Sequence, residues 1–329
     1  MAAPPNPTTT VHPSLHVVPL PGRGMGSIAT ARIPRGTRLV SDAPVFAATN
    51  TQWKNEELLA QQLIPLYAGL PADQRTRIDN LAANPEAVAR WAKFFGTEDA
   101  VAEAEASWAT DPDPAAATSS SLSVAQRAHI MASWNTNCFG LYNNESAAKW
   151  AAVIAPTAAR FNHACVPNAT FAWNDAVGAI TVQTIKEVDE GEELTIAYVD
   201  SMKRGKKRRE ALSRQYGFVC DCPACADGKE EELNEMRKRT EELREILGRE
   251  AKRGEDGRDG EIAKMAVEEG VTLHEKTGLV GVHLADFYKA AFAATGDRLY
   301  LEEELRVRTY CLGDDHPLVK ALTEKLTGV

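Results

Sequence analysis

The stretch Arg160-Phe161-Asn162-His163-Ala164-Cys165-Val166-Pro167-Asn168 decides how this chain is read. Two asparagines, a histidine and a cysteine gather around a proline, and such a run makes an ordered, polar turn rather than a regular element. Two more stretches follow in order: Gly191-Glu-Glu-Leu-Thr-Ile-Ala-Tyr198, a turn glycine and a strand ending at a tyrosine, and Cys220-Asp-Cys-Pro-Ala-Cys225. A fixed turn, a tyrosine at a strand end and a knot of thiols point to chemistry rather than to a purely structural role.

Cysteine usage narrows the class. Six cysteines occur in 329 residues, and Cys220, Cys222 and Cys225 are crowded after the turn-prone Gly217. A secreted disulfide scaffold does not cluster its cysteines this way. The opening residues carry no apolar core of a signal peptide, and no stretch is long enough to span a bilayer. A reducing, intracellular compartment, cytoplasmic or nuclear, is therefore expected, where thiols stay free or bind metal. Zinc takes four thiolate or imidazole ligands in a tetrahedron, and a short loop can supply three. The fourth comes from elsewhere: Cys138, Cys165, Cys311 and several histidines are candidates, with Cys165 favoured because it lies in the other ordered turn.

With 44% hydrophobic and 25% charged residues, the chain can bury a sizeable core and is longer than a typical single domain. The formal net charge of −9 argues against direct nucleic-acid binding and suits a basic peptide. Residues 1–14 are Pro/Thr-rich and read as disordered. Short strands are expected over Leu15–Leu20 and Thr37–Phe46. Helical spacing follows from Trp53 to Trp108, as in Leu59, Leu63, Leu66 and Tyr67, then Val88, Trp91, Phe94 and Phe95. Residues 111–121 read as a loop, and a helix is expected from Val124 toward Asn137. Ala169–Trp173 and Ala179–Ile185 flank a hairpin turn in which Gly178 is free to take positive φ. Beyond Cys225 the pattern is helical, with stripes at Leu233, Met236, Leu243, Ile246 and Leu247 and at Leu284, Phe287, Tyr288 and Phe292. The loop 254–260 separates them.

Gly22-Arg23-Gly24-Met25-Gly26 lacks the spacing of a dinucleotide fingerprint and the Lys-Ser/Thr of a phosphate loop. By itself it is a tight turn between strands. Taken with the later motifs, it resembles the opening glycine turn of the SET domain, the fold of protein-lysine methyltransferases that use S-adenosylmethionine. Asn162-His-Ala-Cys-Val-Pro-Asn168 is similar to that family's Asn-His-Ser-Cys-x-Pro-Asn signature, with Ala164 in place of serine. Gly191–Tyr198 is similar to its Gly-Glu-Glu-Leu-Thr-Ile-x-Tyr strand, and Cys220–Cys225 to its Cys-x-Cys-x-x-Cys post-SET loop. Tyr310-Cys-Leu-Gly-Asp-Asp-His-Pro-Leu318 resembles the C-terminal helices of the SET-and-MYND branch. No cysteine lies between residues 26 and 137, so the MYND zinc finger of that branch is not expected.

The resemblance implies an α+β fold. A SET-domain body of small sheets spans 15–228, with a helical insertion over about 50–124 and a post-SET zinc loop over 217–228, followed by an all-helical C-terminal domain over 229–329. It implies an S-adenosylmethionine-dependent protein-lysine N-methyltransferase acting on a protein or peptide substrate, with no membrane partner and as a monomer; an inactive SET scaffold for protein partners is the alternative. Arg23, Gly24, Met25 and Asn137 would hold the methionine part of the cofactor. Asn162 and His163 would anchor its adenosine, and Phe218 would stack near the adenine. Tyr198 would be the catalytic tyrosine, Tyr216 would line the lysine channel, and the C-terminal helices would form one wall of the substrate cleft. Cys165, Cys220, Cys222 and Cys225 would bind one Zn2+, which supplies the missing fourth ligand. The basic run Lys203-Arg-Gly-Lys-Lys-Arg-Arg209 reads as the solvated start of a helix, with an import signal as the other reading.

Overall fold

The computed structural model describes residues 9–49, 54–96, 122–141, 151–225, 229–253 and 259–328. Its strands are β1 (Thr10–Val11), β2 (Leu15–Leu20), β3 (Gly24–Ala29), β4 (Arg38–Asp42), β5 (Phe46–Ala48), β6 (Phe139–Gly140), β7 (Ala152–Ile154), β8 (Asn162–His163), β9 (Ala169–Asn174), β10 (Ala179–Thr184) and β11 (Glu193–Ile196). Its helices are α1 (Glu56–Ala68), α2 (Ala72–Asp79), α3 (Pro85–Phe95), α4 (Val124–Asn137), α5 (Gly205–Tyr216), α6 (Glu230–Lys252), α7 (Gly260–Thr277), α8 (Val282–Thr295), α9 (Arg298–Leu312) and α10 (Pro317–Thr327). The chain divides into two compact units: Met1–Ser41, Phe161–Ala211 and Val219–Val329 form the first, and Asp42–Arg160 with Leu212–Phe218 the second.

The first unit carries two four-stranded sheets, ordered β1-β4-β10-β9 and β2-β3-β11-β8. The β9–β10 hairpin pairs Ala169 with Thr184 through Asn174 with Ala179. Its turn closes as the sequence predicts: the Asn174 side chain accepts from the Ala176 N–H at 3.0 Å, and Gly178 takes φ 62°. In the other sheet, β3 runs antiparallel to β2 and to β11. The two-residue β8 pairs with β11 in parallel, Asn162 opposite Thr195 and His163 opposite Ile196.

The helices α6 to α10 belong to this same unit. Ile185, just past β10, packs with Leu284, Val307, Cys311 and Tyr310, so part of the helical core closes on the sheet. Two polar ties reinforce that seam: Arg38 donates to Asp315 at 2.8 Å, and a His316 ring nitrogen lies 3.2 Å from the Trp173 carbonyl. The described residues of 229–329 are helical as expected; one of their apolar clusters takes in Ile185 beside the sheet, while the cluster of Leu243, Leu247, Val267 and Phe287 is formed by the helices alone. The expected disorder of residues 1–14 is corrected at its end, where Thr10 and Val11 pair with Ser41 and Val40. Residues 1–8 lie outside the described residues.

In the second unit, β5-β7-β6 form a three-stranded sheet, so the predicted strand Thr37–Phe46 is two strands in different sheets. Its core gathers Phe46, Leu63, Ile78, Trp91, Trp134 and Ile154. Helix α4 starts and stops where the sequence places it. Ser123 and Gln126 form a reciprocal capping box, with the Ser123 hydroxyl accepting from the Gln126 N–H at 3.1 Å and the Gln126 side chain accepting from the Ser123 N–H at 2.9 Å. The expected helical run is three helices as far as Phe95; its remainder from 97 to Trp108, and the loop predicted over 111–121, lie outside the described residues.

Candidate active site and metal centre

Sheet register assembles the site. Residues 21–23 turn between β2 and β3, with Gly22 and Gly24 both at positive φ (71° and 68°). Among the described residues nothing lies within 4 Å of where a Cβ on either would stand, so this ribbon presents open backbone. At Gly26 the opposite holds: a Cβ would stand 2.7 Å from the Asn162 Nδ2, so only glycine lets that amide approach. Asn162 donates from Nδ2 to Glu193 at 2.9 Å and to the Arg23 carbonyl at 3.4 Å. The Arg23 guanidinium in turn donates to the His163 carbonyl and to Asp221, each at 3.0 Å, and its Nε lies 3.2 Å from the Glu193 carboxylate. One arginine thus ties the glycine turn to β8, β11 and the cysteine loop.

His163 is the junction between this turn, the tyrosine and the thiols. Its Nδ1 accepts the Tyr198 backbone N–H at 3.0 Å, so the ring proton sits on Nε2, which faces the Cys165 Sγ at 3.4 Å. The ring is buried, and its centroid lies 5.4 Å from that of Tyr198. The Tyr198 hydroxyl donates to the Phe161 carbonyl at 2.8 Å. Burial pushes its pKa well above the ordinary phenol value, the Arg23 charge opposing this, so the group remains a neutral phenol. Asn168 laces the turn to β11: its Oδ1 accepts from the Thr195 N–H and its Nδ2 donates to the Glu193 carbonyl, both at 2.8 Å. Its role is structural.

The sulfur atoms of Cys165, Cys220, Cys222 and Cys225 all lie within 4.8 Å of one another, which identifies Cys165 as the fourth member of the cluster. Cys165 Sγ is 3.9 Å from Cys220 Sγ and 3.5 Å from Cys225 Sγ. These spacings are far too long for disulfides and match the edge of about 3.8 Å that a tetrahedron with zinc–sulfur bonds of about 2.3 Å requires. The donor set, its geometry and its burial fit zinc. Sharing of protons with Cys220, Cys222 and Cys225 and donation from His163 hold Cys165 far below the ordinary thiol range. Two further donors reach the cluster: the Cys165 backbone N–H points at Cys222 Sγ, and the Arg208 Nε–H at Cys165 Sγ, each at 3.4 Å.

The predicted site residues therefore divide. Arg23, Gly24, Asn162, His163, Tyr198 and the four cysteines come together in the first unit, with Met25 beside them on β3 and exposed. Asn137, Tyr216 and Phe218 belong to the second unit. There Asn137, the last residue of α4, donates both amide hydrogens to the carbonyls of Ala82 and Ser133, at 2.6 and 2.7 Å. The Tyr216 and Phe218 rings lie 6.4 Å apart. Sequence reading missed Glu193, which accepts from Asn162 and pairs with Arg23; its only signal was its place in the Gly-Glu-Glu run. The basic run is corrected in part: Lys203, Arg204, Lys206 and Lys207 are exposed, whereas Arg208 is wholly buried against the thiols.

Two sheets joined through a glycine turn, an Asn-His turn and a cysteine knot define the class, and the SET domain family profile matches residues 24–199, just over half of the chain. The chain belongs to the SET domain family. Among curated relatives it is similar to "Histone-lysine N-methyltransferase set5" of Schizosaccharomyces pombe, 22% identical over 226 residues, covering 68% of this chain and 54% of that protein. It is also similar to "Histone-lysine N-methyltransferase Smyd1" of Mus musculus, 32% identical over 116 residues, covering 32% of this chain and 24% of that one. The chain thus spans about half or less of these relatives' length. A solved chain titled "Crystal structure of the SET domain of LSMT bound to Lysine and AdoHcy" covers 97% of this chain and 88% of its own at 12% identity, with a TM-score of 0.36, too low to carry an argument. Among the described residues, no helix is long and apolar enough to cross a membrane.

Proposed function

We propose that this chain is an S-adenosylmethionine-dependent protein-lysine N-methyltransferase stabilised by one zinc ion. The observation that carries the reading is the parallel pairing of β8 with β11, which puts Asn162 and His163 beside the strand leading into Tyr198. The names of both curated relatives point the same way. S-adenosylmethionine supplies a methyl group on a positively charged sulfur, a donor that needs no acid to activate its leaving group. The protein's task is then alignment of a neutral amine behind that methyl carbon.

The open backbone of Gly22 and Gly24, with Asn162 and the His163 main chain beside it, offers a ribbon on which such a ligand can lie closely. Asn137 and Phe218 are assigned to the same ligand, and Tyr216 to the lysine channel, by position in the family pattern. Zinc held by Cys165, Cys220, Cys222 and Cys225 fixes the loop that carries Asp221 to Arg23.

A lysine ammonium has no lone pair, and neutralising it near pH 7.4 costs about 4 kcal/mol in water. An aromatic, water-poor channel lowers that cost by disfavouring the charged form. Tyr198 is unsuited to the role of base, because burial keeps it a phenol and its proton is donated to Phe161. A phenol oxygen can accept an N–H from the amine and aim the nitrogen. The ammonium would give one proton to water before transfer, and the neutral amine so aimed would take the methyl group as the carbon–sulfur bond breaks, leaving a neutral thioether and a methylammonium.

The test is incubation of the purified protein with methyl-labelled donor and a mixed protein extract, beside Tyr198→Phe. We expect labelled proteins that fall at least about tenfold in the variant, which loses the acceptor oxygen, while calorimetry shows S-adenosylhomocysteine bound equally by both. Donor binding without labelling by the wild-type protein would establish a scaffold instead.

A further inference from the structure

The cysteine cluster faces two arginines that the methyl-transfer reading does not use. Arg208, on α5, is 0% exposed, and Arg237, on α6, is 1% exposed. Arg208 donates from Nε to Cys165 Sγ at 3.4 Å and to the Lys203 carbonyl from another nitrogen. Its remaining nitrogen is buried without a hydrogen-bond partner, 4.0 Å from Glu230. Glu230 divides its single charge between the two neighbouring arginines, its other oxygen pairing with Arg209. Arg237 is stranger still. Among the described residues, none of its three guanidinium nitrogens has a hydrogen-bond partner, and all three are buried. It feels the charges of Arg208, Cys165, Cys225 and Cys222.

Two buried guanidinium groups near one another are repulsive, and a desolvated cation without a full counter-charge is unfavourable. Four neutral thiols would leave that cost standing. Zinc bound by four thiolates carries two net negative charges, which equals what Arg208 and Arg237 bring. Arg208 is the fourth residue of α5 and Arg237 the eighth of α6, so both lie near the starts of helices that meet there. On α6, Glu230, Asn234 and Arg237 fall on one face, spaced by four and then three residues. Asn234 accepts the Gly205 N–H at 3.0 Å, and the Glu230 carboxylate occupies the space beside Gly205 where a side chain would stand. This single face of α6 therefore touches the start of α5 and reaches toward the metal knot.

We propose that Arg208 and Arg237 are the counter-charges of the metal-loaded tetrathiolate, and that metal loading thereby clamps the first two turns of α6 onto the start of α5. The clamp rests on the zinc part of the functional reading, and its test needs no methyl transfer. Loss of the metal turns the same two cations from attracted to repelled, so α6 loosens when the site empties. Arg237→Met keeps the volume and removes the charge, and Arg237→Lys keeps the charge.

The experiment uses the full chain purified with zinc and follows zinc release to a chromogenic chelator, together with hydrogen exchange of residues 230–240 before and after chelation. We expect Arg237→Met to release zinc at least about tenfold faster, the usual range for loss of a group supporting a metal's ligands. Arg237→Lys should stay within about threefold of wild type. In the wild-type protein, chelation should raise exchange over 230–240 while 298–327 stays protected. Equal release from Arg237→Met and wild type, or equal acceleration in both variants, overturns the charge argument. Unchanged exchange over 230–240 on chelation of the wild-type protein overturns the clamp even where a variant does not fold. A purified protein that holds no zinc refutes the metal reading itself, an outcome distinct from all of these.

Discussion

The two ring nitrogens of His163 make contacts in opposite directions, and these can be cut separately. Its Nδ1 serves Tyr198 and its Nε2 serves Cys165. An asparagine carries an acceptor oxygen near where Nδ1 stands, and a glutamine reaches to where Nε2 stands with a donor. His163→Asn should keep the Tyr198 N–H satisfied and lose the donor to sulfur; His163→Gln should do the reverse. A hydrogen bond to a charged acceptor is worth about 1.5–3 kcal/mol, so His163→Asn should release zinc roughly 10–150-fold more readily. Leaving the Tyr198 N–H without its acceptor costs about 1–3 kcal/mol. At roughly 2–4 °C per kcal/mol for domains of this size, His163→Gln should unfold roughly 2–12 °C lower while holding its metal. Zinc release to a chelator and thermal unfolding of the metal-loaded protein read the two effects. If both variants lose zinc alike and melt alike, the ring is only filling space, and the junction assigned to it does not exist.

Two further outcomes follow from single contacts. Gly26→Ala places a methyl group 2.7 Å from the Asn162 amide, which must shift; calorimetry should show S-adenosylhomocysteine affinity reduced at least about tenfold, by loss of the interaction the amide makes when placed correctly. His274 is buried with its Nδ1 2.9 Å from the Leu279 carbonyl, and burial lowers its pKa from 6.5 to about 4. The unfolded chain then takes up a proton at this residue, while the folded one does not, between those two values. The stability it contributes is complete above pH 6.5 and is lost as pH falls toward about 4. In denaturant melts the gap between wild type and His274→Gln should narrow by up to about 3 kcal/mol over that window; a gap independent of pH would refute the assignment.

How much of this was legible beforehand depended on whether a residue's role was local. Ser123 and Gln126 announce the start of α4 within four residues, and Gly178 marks its turn alone, so both were readable. The cysteine cluster was readable up to its fourth member, because three ligands share six positions while Cys165 is brought in by folding; only the resemblance named it. The basic run 203–209 was misread at Arg208 because composition records that a run is charged and not which helical face it takes. Arg237 gave no signal at all, since it sits in a helix crowded with charged side chains whose others are mostly solvated. What covers the helices past 229 gave no signal for a similar reason: an apolar helical stripe shows that a helix is covered, and Ile185 supplies part of that cover from beside the sheet.

The same distinction between local and imported order explains why the site needs its metal. Strand β8 has two residues, and residues 220–225 form no regular element. Fixing six such residues costs about 6–12 kcal/mol of backbone entropy, and a loop this small buries little apolar surface to offset it. Structural zinc in small sites contributes about 10–16 kcal/mol near neutral pH, enough to cover that cost. His163 lies one residue from Cys165 on the far side of Ala164, and its ring bridges the sulfur and the Tyr198 main chain. The metal's free energy is therefore delivered to both the cysteine loop and the strand end that carries the phenol. Chelation should consequently weaken S-adenosylhomocysteine binding in step with zinc loss, even though none of the four cysteines is assigned to that ligand. Titration calorimetry on partially depleted protein checks this: affinity that stays constant per folded molecule while zinc falls would mean that the knot and the ligand ribbon are ordered independently.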